Sequence, residues 1–265
     1  MPPELSVVVP VHNEADNLSR LTDEIRRALE GTVDYEIVYV DDGSDDGSAE
    51  GLARLAREEP RVRVVLHEKR AGQSAAIVSG VLSARAPWIA TLDGDGQNDP
   101  ADIVPMLDLI RTSSATPPLR PSAPPPLRPS ARPPDGPPLR LVIGNRRQRQ
   151  DRWDKRLAGR IANAVRSRVL GDGTPDTGCG LKLFERSAFL SVPHFDHMHR
   201  YLPALFLRSG WGVASVPVNH RPRGSGRSHY GVFDRLWVGL LDLPGVWWLM
   251  RRQIRPAIAE NSHDT

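Results

Sequence analysis

The sequence predicts an α/β fold built on a mostly parallel central sheet with flanking helices. Short runs rich in valine and isoleucine alternate with segments of helical character, which is typical of consecutive βαβ units. The chain of 265 residues, 39% of them hydrophobic, is long enough to bury a core without disulfides or a structural metal. One α/β domain therefore accounts for most of the sequence.

Four short apolar runs in the first hundred residues predict the strands. They lack the alternation of a half-exposed strand, as expected for strands that are covered on both faces. A fifth strand is predicted later in the chain. The predicted ranges are 5–11 (LSVVVPV), 35–41 (YEIVYVD), 62–67 (VRVVLH), 88–93 (WIATLD) and 139–145 (LRLVIGN).

Helices are predicted between these strands. In the first, Leu18, Leu21, Ile25 and Leu29 recur at helical spacing and form one apolar face. Asp99 followed by Pro100 predicts an N-cap and the first helical position of another. The later predicted ranges are 48–58, 73–85, 100–111 and 153–170.

A proline-rich insert over 112–138 interrupts the pattern. Eleven of the 22 residues from 117 to 138 are proline, and PPLRPSA occurs twice. This composition predicts an extended or disordered surface loop, with a ligand for a proline-binding module as the alternative. Because a strand follows directly, the insert is expected within a domain spanning 1–235.

The C-terminal segment, 236–265, begins with the apolar stretch LWVGLLDLPGVWWLM. As a helix its 15 residues would reach about 22 Å, and the hydrocarbon core of a bilayer is about 30 Å thick. The segment is therefore not expected to span a membrane. Three tryptophans and three arginines give it the character of an interfacial helix, and packing on the domain is the alternative. They are Trp237, Trp247, Trp248, Arg235, Arg251 and Arg252.

Charge and cysteine content exclude some classes of protein. The single cysteine, Cys179, excludes an intramolecular disulfide and a cysteine-based zinc site, which fits a cytosolic location. The net charge is only +3, yet arginines concentrate at 144–160 and 221–230 and indicate an anionic partner. The amino terminus shows no signal-peptide pattern.

Acidic clusters follow the second and fourth predicted strands. The second strand ends in VDDGSDDGS (40–48) and the fourth in LDGDGQNDP (92–100). In an open parallel sheet ligands bind beyond the carboxyl ends of the strands, so these acids are expected to converge at one edge. Convergence of this kind is the first indication of function.

Asp93, Asp95 and Gln97 form a candidate metal site. Two carboxylates and an amide oxygen are hard ligands that favour Mg²⁺ or Mn²⁺. A calcium loop is excluded, because Asn98 and Val104 stand where an EF-hand needs glycine and glutamate. No GxGxxG follows the first strand and no GxxxxGK[ST] occurs, which disfavours dinucleotide oxidoreductases and P-loop NTPases.

Five motifs appear in an order that resembles family 2 glycosyltransferases. They are VVVPVHNEADNL, VDDGSDDGS, RAGQSAAIVSG, LDGDGQNDP and DTGCGLKLF, followed by MHRYLPAL and PVNHRPRGSGRSHYG. The chain is most similar to the polyprenyl-phosphate group, the dolichol-phosphate mannose synthase-like enzymes. The resemblance covers about 5–250 and implies the GT-A fold, with a Rossmann-like sheet.

The resemblance implies a role for each matching position. Asp93 and Asp95 match the family's DxD pair, with Asp95 and Gln97 as metal ligands and Asp93 nearer the ribose or the sugar. Asp176 lies near the reacting centre or stabilises its loop. The pocket for the donor nucleoside matches Pro10, His12, Glu14, Asp41 and Asp42, with Asp42 preferred as the base contact. The donor loop matches Arg70, Gly72 and Gln73. Candidate cations for the acceptor phosphate are Arg146, Arg147, Arg160, Arg221 and Arg223, with Arg160 ranked first.

The implied reaction is inverting transfer of a hexose from a nucleotide sugar such as GDP-mannose or UDP-glucose to polyprenyl phosphate. The implied cofactor is Mg²⁺ or Mn²⁺, and the implied location is the cytoplasmic face of a membrane. No nucleic-acid partner is expected, and a homo-oligomer stays open. Two alternatives also stay open: a glycan, protein or soluble acceptor, and a non-catalytic nucleotide-sugar sensor.

Overall fold

The computed structural model describes residues 2–113, 137–146, 163–221 and 232–252, with the backbone alone for 232–241. Most of the proline-rich insert lies outside these ranges, as do Arg147, Arg160 and Arg223. The first half of the predicted helix at 153–170 also lies outside them.

Seven strands form one mixed sheet, and the predicted fold class is confirmed. The strands are β1 (Leu5–Val11), β2 (Tyr35–Asp41), β3 (Val62–Leu66), β4 (Trp88–Thr91), β5 (Leu139–Arg146), β6 (Lys182–Glu185) and β7 (Gly212–Val218). Their order is β3-β2-β1-β4-β6-β5-β7. β6 runs antiparallel to both of its neighbours, β4 and β5. The other adjacent pairs are parallel, so β6 alone begins at the edge where the other strands end.

Helices cover both faces of the sheet. They are α1 (Leu18–Leu29), α2 (Ser48–Glu58), α3 (Gln73–Ser83), α4 (Ile103–Ser113), α5 (163–170), α6 (Arg186–Ser191), α7 (Leu202–Arg208) and α8 (Val232–Arg251). Short 3-10 turns at Ala15–Asn17 and Pro100–Asp102 lead into α1 and α4, and a third lies at Met198–Arg200.

Two apolar layers form the core, one on each side of the sheet. The predicted face of α1 packs into the first layer, where its four apolar residues are at most 1% exposed. In the second layer α3 lies against β1 so closely that a Cβ at Gly80 would stand 2.4 Å from a methyl group of Val8. Packing on both faces explains why the strand sequences are almost continuously apolar.

The predicted element ends differ from the observed ones by a few residues. β4 ends at Thr91, so Asp93 belongs to the loop beyond the strand. α3 ends at Ser83 and not at 85, and the backbone of Ala84 after it is extended. Asp99 caps the turn before α4 by accepting from the Ala101 amide, and Pro100 takes its first position, as predicted.

Helix α8 runs across the predicted boundary between 235 and 236 and docks on the domain. Val246 is 2% exposed within the second core layer. The Arg208 guanidinium donates to the carbonyls of Leu249 at 2.9 Å and Arg252 at 3.2 Å. Packing therefore accounts for one face of the segment that the sequence predicts to be interfacial.

Candidate active site

The carboxyl ends of β1, β2 and β4 and the start of β6 meet at one edge of the sheet. The parallel register pairs Val11 with Asp41, and the antiparallel register pairs Thr91 with Lys182. The loops that leave these strands carry the two acidic clusters. Topology alone thus brings together groups that are distant along the chain.

The loop after β1 is fastened to the loop after β2 through side chains. Asn13 adopts a left-handed conformation with φ of 58°, and its side-chain Nδ2 donates to the Asp45 carboxylate at 2.7 Å. The Ala15 amide donates to Asp46 at 3.0 Å, and the Glu14 amide donates to the Ser48 hydroxyl at 3.1 Å. Much of the acid in VDDGSDDGS therefore organises the loop that carries His12 and Glu14.

Asp42 holds the segment 67–72 against the sheet. Its carboxylate accepts from the amides of Ala71 and Gly72, both at 2.8 Å, and His67 Nδ1 lies 2.7 Å away. Burial by itself raises the pKa of Asp42, but these hydrogen bonds outweigh it and lower the pKa. A glycine is needed at position 43, next to Asp42, since a Cβ there would lie 2.6 Å from the backbone nitrogen of Arg70.

His12 and Asp41 complete the floor of this part of the site. The Nδ1 of His12 donates to the Asp42 carbonyl at 3.0 Å, since a carbonyl can only accept. Asp41 is 3% exposed and accepts from the Ser44 hydroxyl. The predicted donor residues on β1 and β2 therefore lie together.

The loop after β4 brings Asp93 and Asp95 to the same edge. Asp93 accepts from the Gln73 side-chain amide at 2.8 Å, which links the start of α3 to the acidic pair. Asp95 is 8% exposed and accepts from the Gln97 backbone amide at 3.1 Å. A Cβ at Gly94 would lie 3.2 Å from the Pro10 carbonyl oxygen, so this loop touches the end of β1.

Charges of both signs surround Asp93. Burial and repulsion by Asp95 raise its pKa, and the cations of Lys182 and Arg146 oppose that rise. The loop before β6 approaches closely, because a Cβ at Gly180 would stand 2.1 Å from Asp93 Oδ2. Lys182 was not predicted as a site residue, and the one signal for it was its place at the end of the DTGCGLK motif.

Arg146 and Asp176 form a bidentate ion pair beside this centre. Arg146 Nε lies 2.7 Å and Nη2 2.9 Å from the two carboxylate oxygens of Asp176. Burial alone would lower the pKa of Arg146, but the bonds to Asp176 outweigh it and raise the pKa. Asp176 thus holds the guanidinium in one place.

Arg221, a predicted acceptor-phosphate cation, pairs with two carboxylates in the structure. Its guanidinium lies 2.8 Å from Glu24 and 2.5 Å from Asp99, and both are carboxylates of the chain itself. Its amide also donates to the Gln97 carbonyl at 3.0 Å. Arg221 thus fastens the end of β7 to α1 and to the loop after β4, and its role at the acceptor phosphate stays a prediction.

Two further polar residues were not predicted at this edge. His199 Nδ1 lies 2.7 Å from the hydroxyl of Ser74, the residue after Gln73, and burial holds the pKa of His199 well below its usual value. Cys179 is fully buried, and burial raises the pKa of its thiol, as expected for a packed residue. Within the described residues no three His, Cys, Asp or Glu side chains cluster as a metal cage.

The donor set of the acidic loop fits a Mg²⁺ or Mn²⁺ that shares its coordination with a substrate. Such ions are held by one or two carboxylates together with substrate phosphates, and they need no cage of protein ligands. Gln97 Nε2 lies 3.4 Å from the Arg221 carbonyl, which leaves the amide oxygen as the atom able to bind a cation. Asp93, Asp95 and Gln97 therefore suit a divalent ion bound together with an anionic ligand.

The C-terminal helix presents tryptophans beside arginines. Trp247 is 37% and Trp248 56% exposed, and the guanidinium of Arg251 lies 3.9 Å from the centroid of the Trp247 ring. The side chains of Trp237 and Arg235 lie outside what the structure describes. Across the described ranges, no helix has both the length and the apolar character needed to cross a bilayer.

Comparison with known proteins gives matches at the level of sequence. The chain matches the family model "Glycosyl transferase family 2" over residues 6–121. Dodecaprenyl-phosphate galacturonate synthase of Rhizobium johnstonii is 32% identical over 96% of this chain and 69% of its own length. Undecaprenyl-phosphate 4-deoxy-4-formamido-L-arabinose transferase of Edwardsiella ictaluri is 33% identical over 86% of this chain, which spans 63% of that relative.

Solved structures share the fold at lower identity. Glucosyl-3-phosphoglycerate synthase of Mycobacterium tuberculosis, in complex with Mn²⁺, UDP-glucose and phosphoglyceric acid, gives a TM-score of 0.63 at 17% identity, over 94% of this chain and 79% of that one. A mannosyltransferase of Pyrobaculum calidifontis with GDP-mannose and Mn²⁺ gives 0.63 at 19% identity, over 97% and 66%. These likenesses show the GT-A fold of the chain.

Proposed function

The chain belongs to glycosyl transferase family 2, and from that premise we propose that it transfers a sugar from a nucleotide diphosphate to polyprenyl phosphate. The observation that carries the proposal is the meeting of Asp42, Asp93 and Asp95 at one edge of the sheet. Both sequence relatives described above are named for sugar transfer to a polyprenyl phosphate. Both structural neighbours hold a nucleotide sugar with Mn²⁺.

The nucleoside of the donor is proposed to lie between the ends of β1 and β2. Its neighbours there would be Pro10, His12, Glu14, Asp41 and Asp42. A carboxylate offers about four acceptor sites, and those of Asp42 already receive Ala71, Gly72 and His67. One site is left for a base N–H, so Asp42 can both contact the base and hold the donor loop.

The diphosphate and the sugar are proposed to lie between the donor loop and the acidic pair. Arg70, Gly72 and Gln73 line the first side, and Asp93, Asp95 and Gln97 form the second. A bound Mg²⁺ or Mn²⁺ would neutralise charge on the leaving diphosphate. The hydrogen bond from Gln73 to Asp93 fixes that carboxylate toward the ribose or the sugar.

The reaction joins an acceptor phosphate oxygen to the anomeric carbon while the bond from that carbon to the diphosphate breaks. Attack from the face opposite the leaving group inverts the configuration, through an oxocarbenium-like transition state as in other glycosyl chemistry. Because the attacking phosphate is already anionic, no general base is required. The chain must instead hold two anionic groups in line, and cations do this best.

Arg146 is the described cation proposed for the acceptor phosphate. Its guanidinium is fixed by Asp176 yet has further N–H groups, and planar forks of this kind match phosphate oxygens. Arg147, Arg160 and Arg223 lie outside the described residues and stay proposals from the motif resemblance. Arg221 also stays a proposal, and in the structure its guanidinium pairs with Glu24 and Asp99.

A lipid acceptor requires contact with a membrane surface, which we propose at its cytoplasmic face. Trp247 and Trp248 would enter the interface while Arg251 and Arg252 meet anionic headgroups. The opposite face of α8 is occupied by its packing through Val246. One helix thus offers a docked face and an interfacial face.

Thermal unfolding with UDP, GDP, UDP-glucose or GDP-mannose, each with Mn²⁺, Mg²⁺ or chelator, tests the donor site. Ligands that bind the native state raise its unfolding temperature. We expect metal-dependent stabilisation by one nucleotide family in the wild type and none in Asp95→Ala. Stabilisation by no nucleotide in folded protein would overturn the proposal.

A transfer assay tests the acceptor. Vesicles that contain polyprenyl phosphate are mixed with the donor chosen by the binding experiment and compared with a soluble phosphate acceptor. Product on the lipid alone supports the proposal. Product on a lipid-free acceptor would show that polyprenyl phosphate is not the required acceptor. Tight donor binding without transfer or hydrolysis would favour a nucleotide-sugar sensor.

A further inference from the structure

Lys182 lies at the centre of the candidate site because of the one antiparallel strand. It is the first residue of β6, paired in register with Thr91 of β4 and Ile143 of β5. Since β6 runs against its neighbours, its first residue reaches the edge where theirs end. Lys182 thus stands between the acidic loop after β4 and Arg146 at the end of β5.

The Lys182 side chain is buried, and its ion pairing is incomplete. It is 4% exposed, and its Nζ donates to the backbone carbonyl of Cys179. No carboxylate of the described residues comes within 4.0 Å of Nζ. Lysine is almost never fully buried without a partner, because taking an ammonium out of water is costly.

The two carboxylates that interact electrostatically with Lys182, Asp93 and Asp176, accept hydrogen bonds from other groups. Asp93 receives the Gln73 amide at 2.8 Å. Asp176 receives the Arg146 fork at 2.7 and 2.9 Å. An ammonium has three N–H donors, and the carbonyl of Cys179 uses one of them. The other N–H donors of Lys182 suit an anion with several acceptor oxygens.

We propose that the Lys182 ammonium binds a phosphate oxygen of the substrates at the reacting centre. The inference rests on the proposed function and adds to it a phosphate contact that the motif resemblance did not supply. The donor diphosphate and the acceptor monophosphate both present the required oxygens. Lys182 is the cation placed between the donor side, at Asp93, and the acceptor side, at Arg146.

Two variants at this position separate binding from folding. Lys182→Met keeps the length of the side chain and removes the charge, and Lys182→Arg keeps the charge. Because an unpaired buried charge costs stability, we expect Lys182→Met to unfold at a temperature no lower than the wild type. A role limited to fixing the Cys179 carbonyl predicts the opposite, a loss of stability together with loss of all binding.

Arg140→Met is the matched control. Arg140 is a half-buried cation on β5 that pairs with Glu185, at the far end of β6, and stacks 5.9 Å from the Trp211 ring centroid. The three steps along the strand from Lys182 to Glu185 span about 10 Å. Removing this cation should lower stability while phosphate binding stays unchanged.

Calorimetric titration of the wild type and the variants with Mn²⁺ and a nucleoside, or its diphosphate, tests the donor side. Steady-state transfer gives KM for polyprenyl phosphate and tests the acceptor side. Loss of a charged hydrogen bond should cost about 10- to 100-fold. If Lys182→Met weakens only the binding of the nucleoside diphosphate, Lys182 contacts the donor phosphate. If it raises only KM for polyprenyl phosphate, Lys182 contacts the acceptor phosphate. In either case Lys182→Arg should recover part of the loss.

Unchanged binding and KM in Lys182→Met, with the wild type active, would overturn this inference and leave the proposed function standing. A fall in stability with equal loss of nucleoside and diphosphate binding would overturn it as well. A wild type that binds no nucleoside diphosphate would remove the proposed function itself, and this inference with it.

Discussion

A Cβ atom at Gly180 would lie 2.1 Å from Oδ2 of Asp93 and 2.3 Å from its carboxyl carbon. The loop before β6 therefore touches the acidic loop after β4 at a point where only a hydrogen fits. The Thr91 hydroxyl, two residues before Asp93, donates to the Gly180 carbonyl at 2.7 Å and holds this approach. The position of the carboxylate thus depends on a residue 87 positions later in the chain.

Gly180→Ala should displace Asp93 and lower transfer activity by about 100-fold, the cost of a misplacement near 1 Å at a reacting centre. Gly180 has no positive φ, so the added methyl group and not backbone strain is the cause. Gly178→Ala is the control, because its nearest atom, on Arg146, stands at 3.4 Å. Equal activity of Gly180→Ala and wild type at saturating Mn²⁺ would contradict the role of this contact.

The sequence predicted β1 to β5 and the acidic edge, because these features depend on local patterns, and it missed β6 and β7. The ranges 5–11 and 35–41 agree to the residue with β1 and β2. β6 carries no such signal, since four residues between a glycine-rich loop and a short helix show no period. Without β6, neither the place of Lys182 nor the approach of Gly180 to Asp93 could be inferred.

Arg221 shows a second limit of sequence reasoning. Its arginine-rich segment indicated an anionic partner, but its carboxylate partner Glu24 lies 197 residues earlier. A pairing over that separation is decided by how β7 returns to the edge of the sheet. Composition indicates that a cation is present and cannot tell whether the chain itself compensates it.

Asp42→Asn should weaken donor binding through the donor loop. The side-chain amide of asparagine offers one oxygen where the two oxygens of Asp42 accept from Ala71 and Gly72, so one part-buried N–H loses its partner, at a cost of about 1 kcal/mol in stability. We expect KM for the nucleotide sugar to rise at least about tenfold with a smaller change in kcat. Asp45→Asn, in an exposed contact with Asn13, is the control and should leave KM unchanged.

Arg146 and Asp176 should act as one unit in a double-mutant cycle. If Asp176 serves to hold the guanidinium, Arg146→Ala, Asp176→Ala and the double variant should each raise KM for the acceptor by a similar factor, about 10- to 100-fold. Transfer kinetics at fixed donor concentration measure the three factors. Losses that multiply in the double variant would show that Asp176 acts on the reacting centre independently.

Glu36 should make the stability of the fold dependent on pH. It is 2% exposed and accepts from the Ser6 hydroxyl, the Arg85 amide and guanidinium, and Arg63. Burial would raise its pKa, but these bonds lower it below the ordinary 4.5. A depressed pKa stabilises the fold above the unfolded-state value, and that contribution is lost as pH falls through the native one.

Glu36→Gln should therefore lower the free energy of unfolding at pH 7 by about 2 kcal/mol, because it weakens the charged hydrogen bonds from Arg63 and Arg85, whose side chains are partly exposed. Urea unfolding at pH 7 and pH 3 measures the difference, which should shrink at the lower pH. Glu30→Gln is the control: its side chain is 57% exposed and 3.8 Å from Arg61, so we expect a change within about 0.5 kcal/mol. A difference that persists at pH 3 would assign the loss to packing.

Trp248→Ala should weaken binding to anionic vesicles about tenfold, since a large apolar side chain leaves the interface. Because Trp248 is 56% exposed, stability should change by less than about 0.5 kcal/mol. Leu66→Ala is the control, an equally exposed apolar residue, 61%, at the end of edge strand β3. Sedimentation with vesicles containing anionic lipid and polyprenyl phosphate measures binding, and added salt should weaken it through Arg251 and Arg252. Equal sedimentation of both variants and the wild type would assign the tryptophans of α8 to packing against another protein surface.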